Sequence, residues 1–345
     1  MVSTLTRRPR IIEGAVLLGC LALGLSACAG SPPAAPETST AAASGVDPFA
    51  PEQSEIRMLT YRLGASAPLF IAQMEGIDAE YGFSMSIDYT DSAANALSAV
   101  VGGATDIAAA SQLSTSSAIA EGIDLVILGE QFRYGPGQQT METLPGSGIE
   151  SIEDLPGHVV GVGGLNGGQD LSIKWWFEEN GLDWSGIEFT SVGPGEMGQA
   201  LERGVIDAGV FAGPGILQVR EALDAETVFD FGELMPDLPA TSYIASREFA
   251  EANPNTIAAF QCAVVVNAHA IAAEGGSEYN QAIIDAMEFG LGWTEEEVRA
   301  TGKVTFTTTN DPAYQQFGPD LLYSAGLFEE PIDIADYLIP IPDDC

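Results

Sequence analysis

The chain has 345 residues, of which 49 are Asp or Glu and only 12 are Lys or Arg, for a formal net charge of −37. A surface of that sign repels a phosphate backbone, which excludes nucleic acid as a partner. Two histidines and four cysteines, all widely spaced, leave no run with metal-ligand spacing.

In chain order, Arg7, Arg8 and Arg10 come first and precede an apolar stretch from Ile11 to Leu25 that ends in Ser26 and Ala27. Basic start, apolar run and small residues are the parts of a secretory signal. Glu13 interrupts the stretch, which is shorter than the roughly 20 residues a membrane-spanning helix needs, and no second candidate span is expected downstream. Leu25-Ser26-Ala27-Cys28 looks like a bacterial lipobox, so residues 1–27 are expected to be removed and Cys28 to carry lipid. Residues 28–53 are mostly Ala, Pro, Ser, Thr and Glu, with too little apolar surface to offset ordering entropy, and read as a disordered tether. After export Cys262 and Cys345 are the remaining thiols, and in an oxidising exterior a bridge between them and two separate thiols are both open.

The folded body alternates strands with helices. Strands are expected at 56–63, 83–89, 107–110 and 125–128, with helices from Pro68 to about Tyr81 and over 93–101. A second block repeats the plan, with strands at 159–162, 187–190 and 208–211 and helices at 168–179 and 196–203. Such alternation predicts an α/β fold of mainly parallel sheets flanked by helices. A local echo supports two similar lobes: Ala96-Leu97 leads through Gly103-Ala104-Thr105-Asp106 into Ile107, and Ala200-Leu201 leads through Gly204-Val205-Ile206-Asp207 into Ala208. Residues 243–246 read as extended and the remainder as mainly helical, covering one of the two sheets.

Five segments in order carry a family resemblance: Ala72 to Phe83, Gly102 to Ala110, Gly122 to Leu128, Gly146 to Gly157 and Ala200 to Val210. The chain resembles the periplasmic binding proteins of ABC importers, in particular the SsuA/THI5-like (NMT1-like) group, which includes binders of sulfonates, taurine, nitrate and pyrimidines. The resemblance implies a type II periplasmic-binding-protein fold, with lobe 1 formed by 54–140 plus 243–345 and lobe 2 by 141–242. It places two crossings near 138–144 and 240–246 and implies a ligand in the cleft between the lobes. The implied role is an extracytoplasmic solute-binding lipoprotein, monomeric, held to the cell membrane by its lipid and partnered by an ABC permease. No cofactor is expected.

Ligands of open α/β sheets sit beyond the carboxyl ends of strands, where helix amino termini offer free N–H groups. The turns placed there nominate Ser66, Ala67, Asp91, Ser92, Ser111, Gln112, Asn166 and Gly167. Arg133 and Gln138 are candidate donors to an oxyanion, while Phe132, Phe211 and Glu196 suit a stacked, pyrimidine-like solute. Where related proteins commonly place Trp or a polar residue before the Pro of the final second-lobe turn, this chain has Ala212-Gly213.

The alternative is an enzyme on the same fold, such as the pyrimidine-forming THI5-like type. Gly161-Val162-Gly163-Gly164-Leu165-Asn166 departs from the dinucleotide fingerprint at its last position. Neither His158 nor His269 has an evident nucleophile partner, and neither Lys174 nor Lys303 lies in a cofactor-linking setting. The expectation is therefore a binding protein.

Overall fold

The computed structural model describes residues 46–234, 239–274, 279–301, 304–324, 326–328 and 330–345. The signal segment, Cys28 and the tether as far as residue 45 lie outside the described residues. Residues 46–53, expected within the tether, are instead held against the body. Phe49 stacks on Tyr81 with ring centroids 4.8 Å apart, and the Glu52 carboxylate accepts from Asn255 N (3.1 Å), Thr256 N (2.7 Å) and Thr256 Oγ1 (2.8 Å). Those backbone donors belong to the first turn of a helix, where a carboxylate is favoured, and they hold Glu52 below its ordinary pKa against the opposing effect of burial.

The strands are β1 (Glu55–Thr60), β2 (Ser84–Tyr89), β3 (Ile107–Ser111), β4 (Leu125–Tyr134), β5 (Gln139–Thr143), β6 (Val159–Val162), β7 (Glu188–Ser191), β8 (Ala208–Ala212), β9 (Glu226–Asp230), β10 (Pro239–Ser246) and β11 (Val304–Thr305). Helices α1 (Ala67–Met74), α2 (Ile77–Glu80), α3 (Ala93–Val101) and α4 (Gln112–Ala120) accompany the first four strands, and α5 (Gly168–Glu179), α6 (Pro194–Glu202), α7 (Pro214–Leu223) and α8 (Phe231–Leu234) the next five. The expected helix from Pro68 to Tyr81 is divided because the chain turns at Gly76 with φ 71°. After β10 come α9 (Arg247–Ala252), α10 (Pro254–Phe260), a π-helical segment (Gln261–Ala268), α11 (His269–Ala273), α12 (Gln281–Leu291), α13 (Glu295–Ala300), α14 (Pro312–Gln315) and α15 (Phe317–Ser324).

Two sheets form, in the orders β11-β4-β10-β3-β1-β2 and β7-β6-β8-β5-β9. Their plans coincide. In each, three strands from successive strand–helix units run parallel, and the one antiparallel interior strand is the strand that arrives from the other sheet, β10 in the first and β5 in the second. The crossings lie between Tyr134 and Gln139 and between Asp230 and Pro239, so the segments expected to cross are themselves strands. The passages are clipped together, because Asp230 accepts from Gly137 N (2.7 Å) and from Gly232 N (2.9 Å).

The sequence echo has a physical cause. Gly103 (φ 67°) and Gly204 (φ 65°) take the left-handed conformation that ends a helix. The residue after each donates to the same carbonyl one turn back, Ala104 N to Ala99 O at 2.8 Å and Val205 N to Ala200 O at 2.9 Å. Asp106 then accepts from Arg57 N (2.8 Å) and Asp207 from Val159 N (2.8 Å), stapling each turn to the neighbouring parallel strand.

The first sheet is covered by α1, the α10–α11 run and α12, around a core that includes Met58, Phe70, Phe83, Phe132, Tyr243, Phe260, Val264 and Met287. Contrary to the expectation that no further span candidate exists, Pro254–Ala273 is long and apolar enough to cross a membrane (mean hydropathy 1.6), but 72% of that stretch is buried inside the protein. It is a core helix of the first lobe. Its Cys262 is joined to Cys345, and Gln261 Nε2 donates to Leu128 O (2.9 Å) and Ile339 O (3.0 Å), so the carboxyl-terminal segment is fixed to the same helix. His269, fully buried, lies 2.8 Å through Nδ1 from Thr307 O. The second sheet has a smaller core around Met141, Val160, Val162, Ile173, Phe177, Phe229 and Phe231.

Candidate functional site

The two lobes meet where the carboxyl ends of their strands face each other. At the end of β3, Ser111 faces the first residue of α5: a β-carbon on Gly168 would lie 3.6 Å from Ser111 Oγ. At the end of β8, Gly213 takes φ 58°, and a β-carbon there would lie 3.6 Å from Trp293 and 3.9 Å from Leu63 and Thr301. This explains the Ala212-Gly213 departure, since the turn needs a residue tolerant of positive φ. An apolar seam adds to these contacts, with Leu171 and Trp175 of α5 packed against Leu113, Leu321, Leu322 and Phe317, the Trp175–Phe317 centroids being 5.2 Å apart.

In the first lobe, Ser66 is fully buried; its Oγ donates to Tyr61 O (2.8 Å) and lies 3.0 Å from Thr60 Oγ1. Thr60 accepts from Gln131 Nε2 (3.1 Å), and Thr241 Oγ1 donates to Gln131 Oε1 (2.6 Å). This network ties β1, β4 and β10 beneath the site, with Ala67 buried beside it. Ser92 caps α3 through Asn95 N (3.4 Å), and Ser111 caps α4 through Ser114 N (3.1 Å); Asp91 is exposed. Gln112 is fully buried and its Nε2 donates to Gln315 O (2.5 Å).

Phe132 is packed in the first lobe's core, and Phe211 in a second-lobe cluster with Met197, Leu201 and Ile216. Neither ring is placed to stack on a solute at the seam. Arg133 is buried, donates through Nε and Nη2 to the two Glu130 oxygens (2.6 and 2.8 Å), and lies under the Tyr314 ring. Its fork is occupied internally. Gln138 and Gln139 are buried at the crossing with their Oε1 atoms unpartnered.

In the second lobe, Asn166 takes φ 54°, and its N–H and that of Gly167 donate to the Asp170 carboxylate (3.0 and 2.8 Å), which also holds Lys174 Nζ (2.9 Å). The amino terminus of α5 is thus closed by its own aspartate. Glu196 is exposed on the first turn of α6. Asn166 also borders a groove of about 740 Å³, lined by Leu171 of its own lobe and by Ile119, Phe328, Ile332 and Tyr337 of the first. Of the nominated residues, Ser111 is brought opposite Gly168, the residue that follows the nominated Gly167.

Tyr61, Arg62, Tyr89, Trp175 and Trp293 lie at or beside the same strand ends without any turn signal that marks them in the sequence. Burial raises the pKa of Tyr61, against a hydrogen bond with the Ser111 backbone, and of Tyr134, so neither hydroxyl ionises. Among the described residues no group of three or more His, Cys, Asp or Glu could hold a metal ion.

Among solved structures the chain is similar to the periplasmic aliphatic sulphonate binding protein SsuA from Escherichia coli (19% identity, 83% of this chain and 97% of that chain covered, TM-score 0.65). It is similar also to the alkanesulfonate-binding protein SsuA from Xanthomonas axonopodis pv. citri bound to MOPS (17%, 84% and 99%, TM-score 0.67). A third is the periplasmic nitrate-binding protein NrtA from Synechocystis PCC 6803 (15%, 84% and 87%, TM-score 0.68). At these identities the likeness establishes the two-lobed periplasmic-binding-protein fold. No curated protein matches the sequence. The family model described as NMT1/THI5 like matches residues 64–274, more than half of the chain, from α1 through the two sheets to the core helix: the chain belongs to the NMT1/THI5-like family.

Proposed function

We propose that this protein is an extracytoplasmic solute-binding component of an ABC importer, lipid-anchored through Cys28. It captures a small organic or oxyanion solute between its lobes and presents it to a membrane permease as a monomer. The observation that carries this reading is the pair of like sheets, joined by two passages, whose strand carboxyl ends face each other across Ser111–Gly168 and Leu63–Gly213. A ligand touching both faces favours the closed arrangement by as much as its contacts differ between the two states. The similarity to sulfonate- and nitrate-binding proteins supports a solute in this class.

The test is thermal unfolding of the purified chain against sulfonates, nitrate, bicarbonate, aminopyrimidines and aromatic acids. A ligand at 100 times its Kd stabilises the native state by about 2.7 kcal/mol. One solute is expected to raise the Tm without being consumed; turnover of that solute in the absence of a transporter would replace the binding reading with the enzymatic one. Lipidation is checked separately: Cys28→Ser should release the protein from membranes, and the mature mass should include the acyl groups.

A further inference from the structure

Six of the basic side chains in the described residues pair with carboxylates: Arg57 with Asp106, Arg133 with Glu130, Lys174 with Asp170, Arg220 with Glu142, Arg247 with Asp124 and Arg299 with Glu295. In a chain with 49 acidic residues, such pairing is the expected fate of a cation. Arg62 and Arg203 are the exceptions among the described residues. Arg203 ends α6 in the turn before β8, at the opposite end of the strands from the seam. Arg62 stands two residues beyond β1, at the seam end.

Arg62 is exposed, yet it is held. Its guanidinium lies 4.1 Å from the centroid of the Tyr89 ring, and Tyr89 is fixed in turn by its hydroxyl, which donates to Gly290 O (3.0 Å). Asp88 and Asp91 flank Tyr89 in sequence, but neither comes within ion-pair distance of Arg62 among the described residues. Stacking fixes the plane of a guanidinium and leaves its edge N–H groups free, the arrangement that suits a planar or bidentate oxyanion. The following residue, Leu63, faces Gly213 of the opposite lobe, where a β-carbon would lie 3.9 Å from its side chain, so this cation is next in sequence to a point where the lobes approach.

Resting on the solute-binding reading above, we infer that Arg62, presented on Tyr89, is the residue that receives the oxyanion group of the solute and sets the site's preference for anions. The role expected for Arg133 thereby passes to a residue whose fork is unoccupied.

The experiment is isothermal titration and thermal unfolding of the full folded chain with sodium nitrate, sodium methanesulfonate and sodium formate against sodium chloride at matched ionic strength, with neutral 4-aminopyrimidine as a separate arm. At least one oxyanion should bind. Its affinity should fall about 30-fold or more in Arg62→Gln and about tenfold in Arg62→Lys, which keeps the charge but loses the fork. Tyr89→Leu should weaken the same anion severalfold while leaving the charge in place. Because Arg62 is exposed and unpaired, the ligand-free Tm of Arg62→Gln should stay at the parent value, which separates lost recognition from lost folding. Equal anion affinity in the parent and Arg62→Gln would overturn the inference. Binding of 4-aminopyrimidine alone would overturn it too, while leaving the solute-binding reading intact. Binding in no arm overturns the anion assignment and counts against that reading as well.

Discussion

The two lobes share one plan and differ in how it is secured. In the first, Asp106 is 4% exposed and receives both the Arg57 backbone N–H and its guanidinium, with Nη2 at 2.5 Å. In the second, Asp207 is 43% exposed and faces His158 at 3.4 Å. The first lobe also carries a disulfide, a buried histidine, a core helix and the ordered residues 46–53; the second carries none of these among its described residues. A duplicated topology therefore needs only the glycine turn and the aspartate staple, whereas a guanidinium on that staple and covalent closure are additions to one copy. The difference predicts a stable lobe and a yielding one.

The largest test concerns the disulfide. It closes an 83-residue separation, for which chain-entropy reasoning gives about 4.6 kcal/mol of stabilisation. Cys345→Ser should lower denaturant stability by up to that amount, with hydrogen exchange rising in the amides around α10–α11 and unchanged in β6–β8. Equal losses in both lobes would mean that they unfold as one unit and would remove the distinction. In the parent protein two alkylatable thiols besides any at the amino terminus should appear only after reduction.

Next is pH. Burial lowers the pKa of His269 to about 4 from its ordinary 6.5. Between those values the unfolded chain binds a proton that the folded chain excludes, so stability falls as pH drops from 6.5 toward 4 and the effect is fully absent above 6.5. The span corresponds to about 3 kcal/mol. In His269→Gln the pH dependence of unfolding should flatten by that amount over this window; an unchanged slope would assign the acid sensitivity to carboxylates.

The staples give smaller effects. Asp106→Ala leaves buried donors unmet and should cost about 2 kcal/mol, while Asp207→Ala, with its carboxylate nearly half exposed, should cost about 1 kcal/mol or less. Hydrogen exchange at Arg57 and Val159, the residues that donate to each aspartate, would locate the two losses. A reversed order would show that exposure is not what separates them.

Much of this architecture was legible in the residues. Alternation over Phe83 to Tyr89 and the buried run Leu125 to Leu128 marked strands, and the Gly103/Asp106 and Gly204/Asp207 pairs marked the duplication, because each performs a local task that leaves a local trace. β5 and β9 left no such trace. Gln139-Thr140-Met141-Glu142-Thr143 is wholly buried yet polar in sequence, since Glu142 is neutralised by Arg220 (2.6 Å) from a helix 78 positions away. The site followed the same rule. Turns at strand ends were found by composition, but the fate of Arg133 depended on Glu130 and Tyr314, and the freedom of Arg62 on a ring contributed by β2. Which cations are satisfied is a property of the folded neighbourhood.

The clamp formed by Phe49 and Glu52 has a mechanical consequence. Residues 46–53 are bound to Tyr81 and to the helix beginning at Pro254, both in the first lobe. The chain is therefore committed to the first lobe before β1 begins, so a pull on residues 46–53 would load Tyr81 and the start of α10 and leave the two passages between the lobes free to bend.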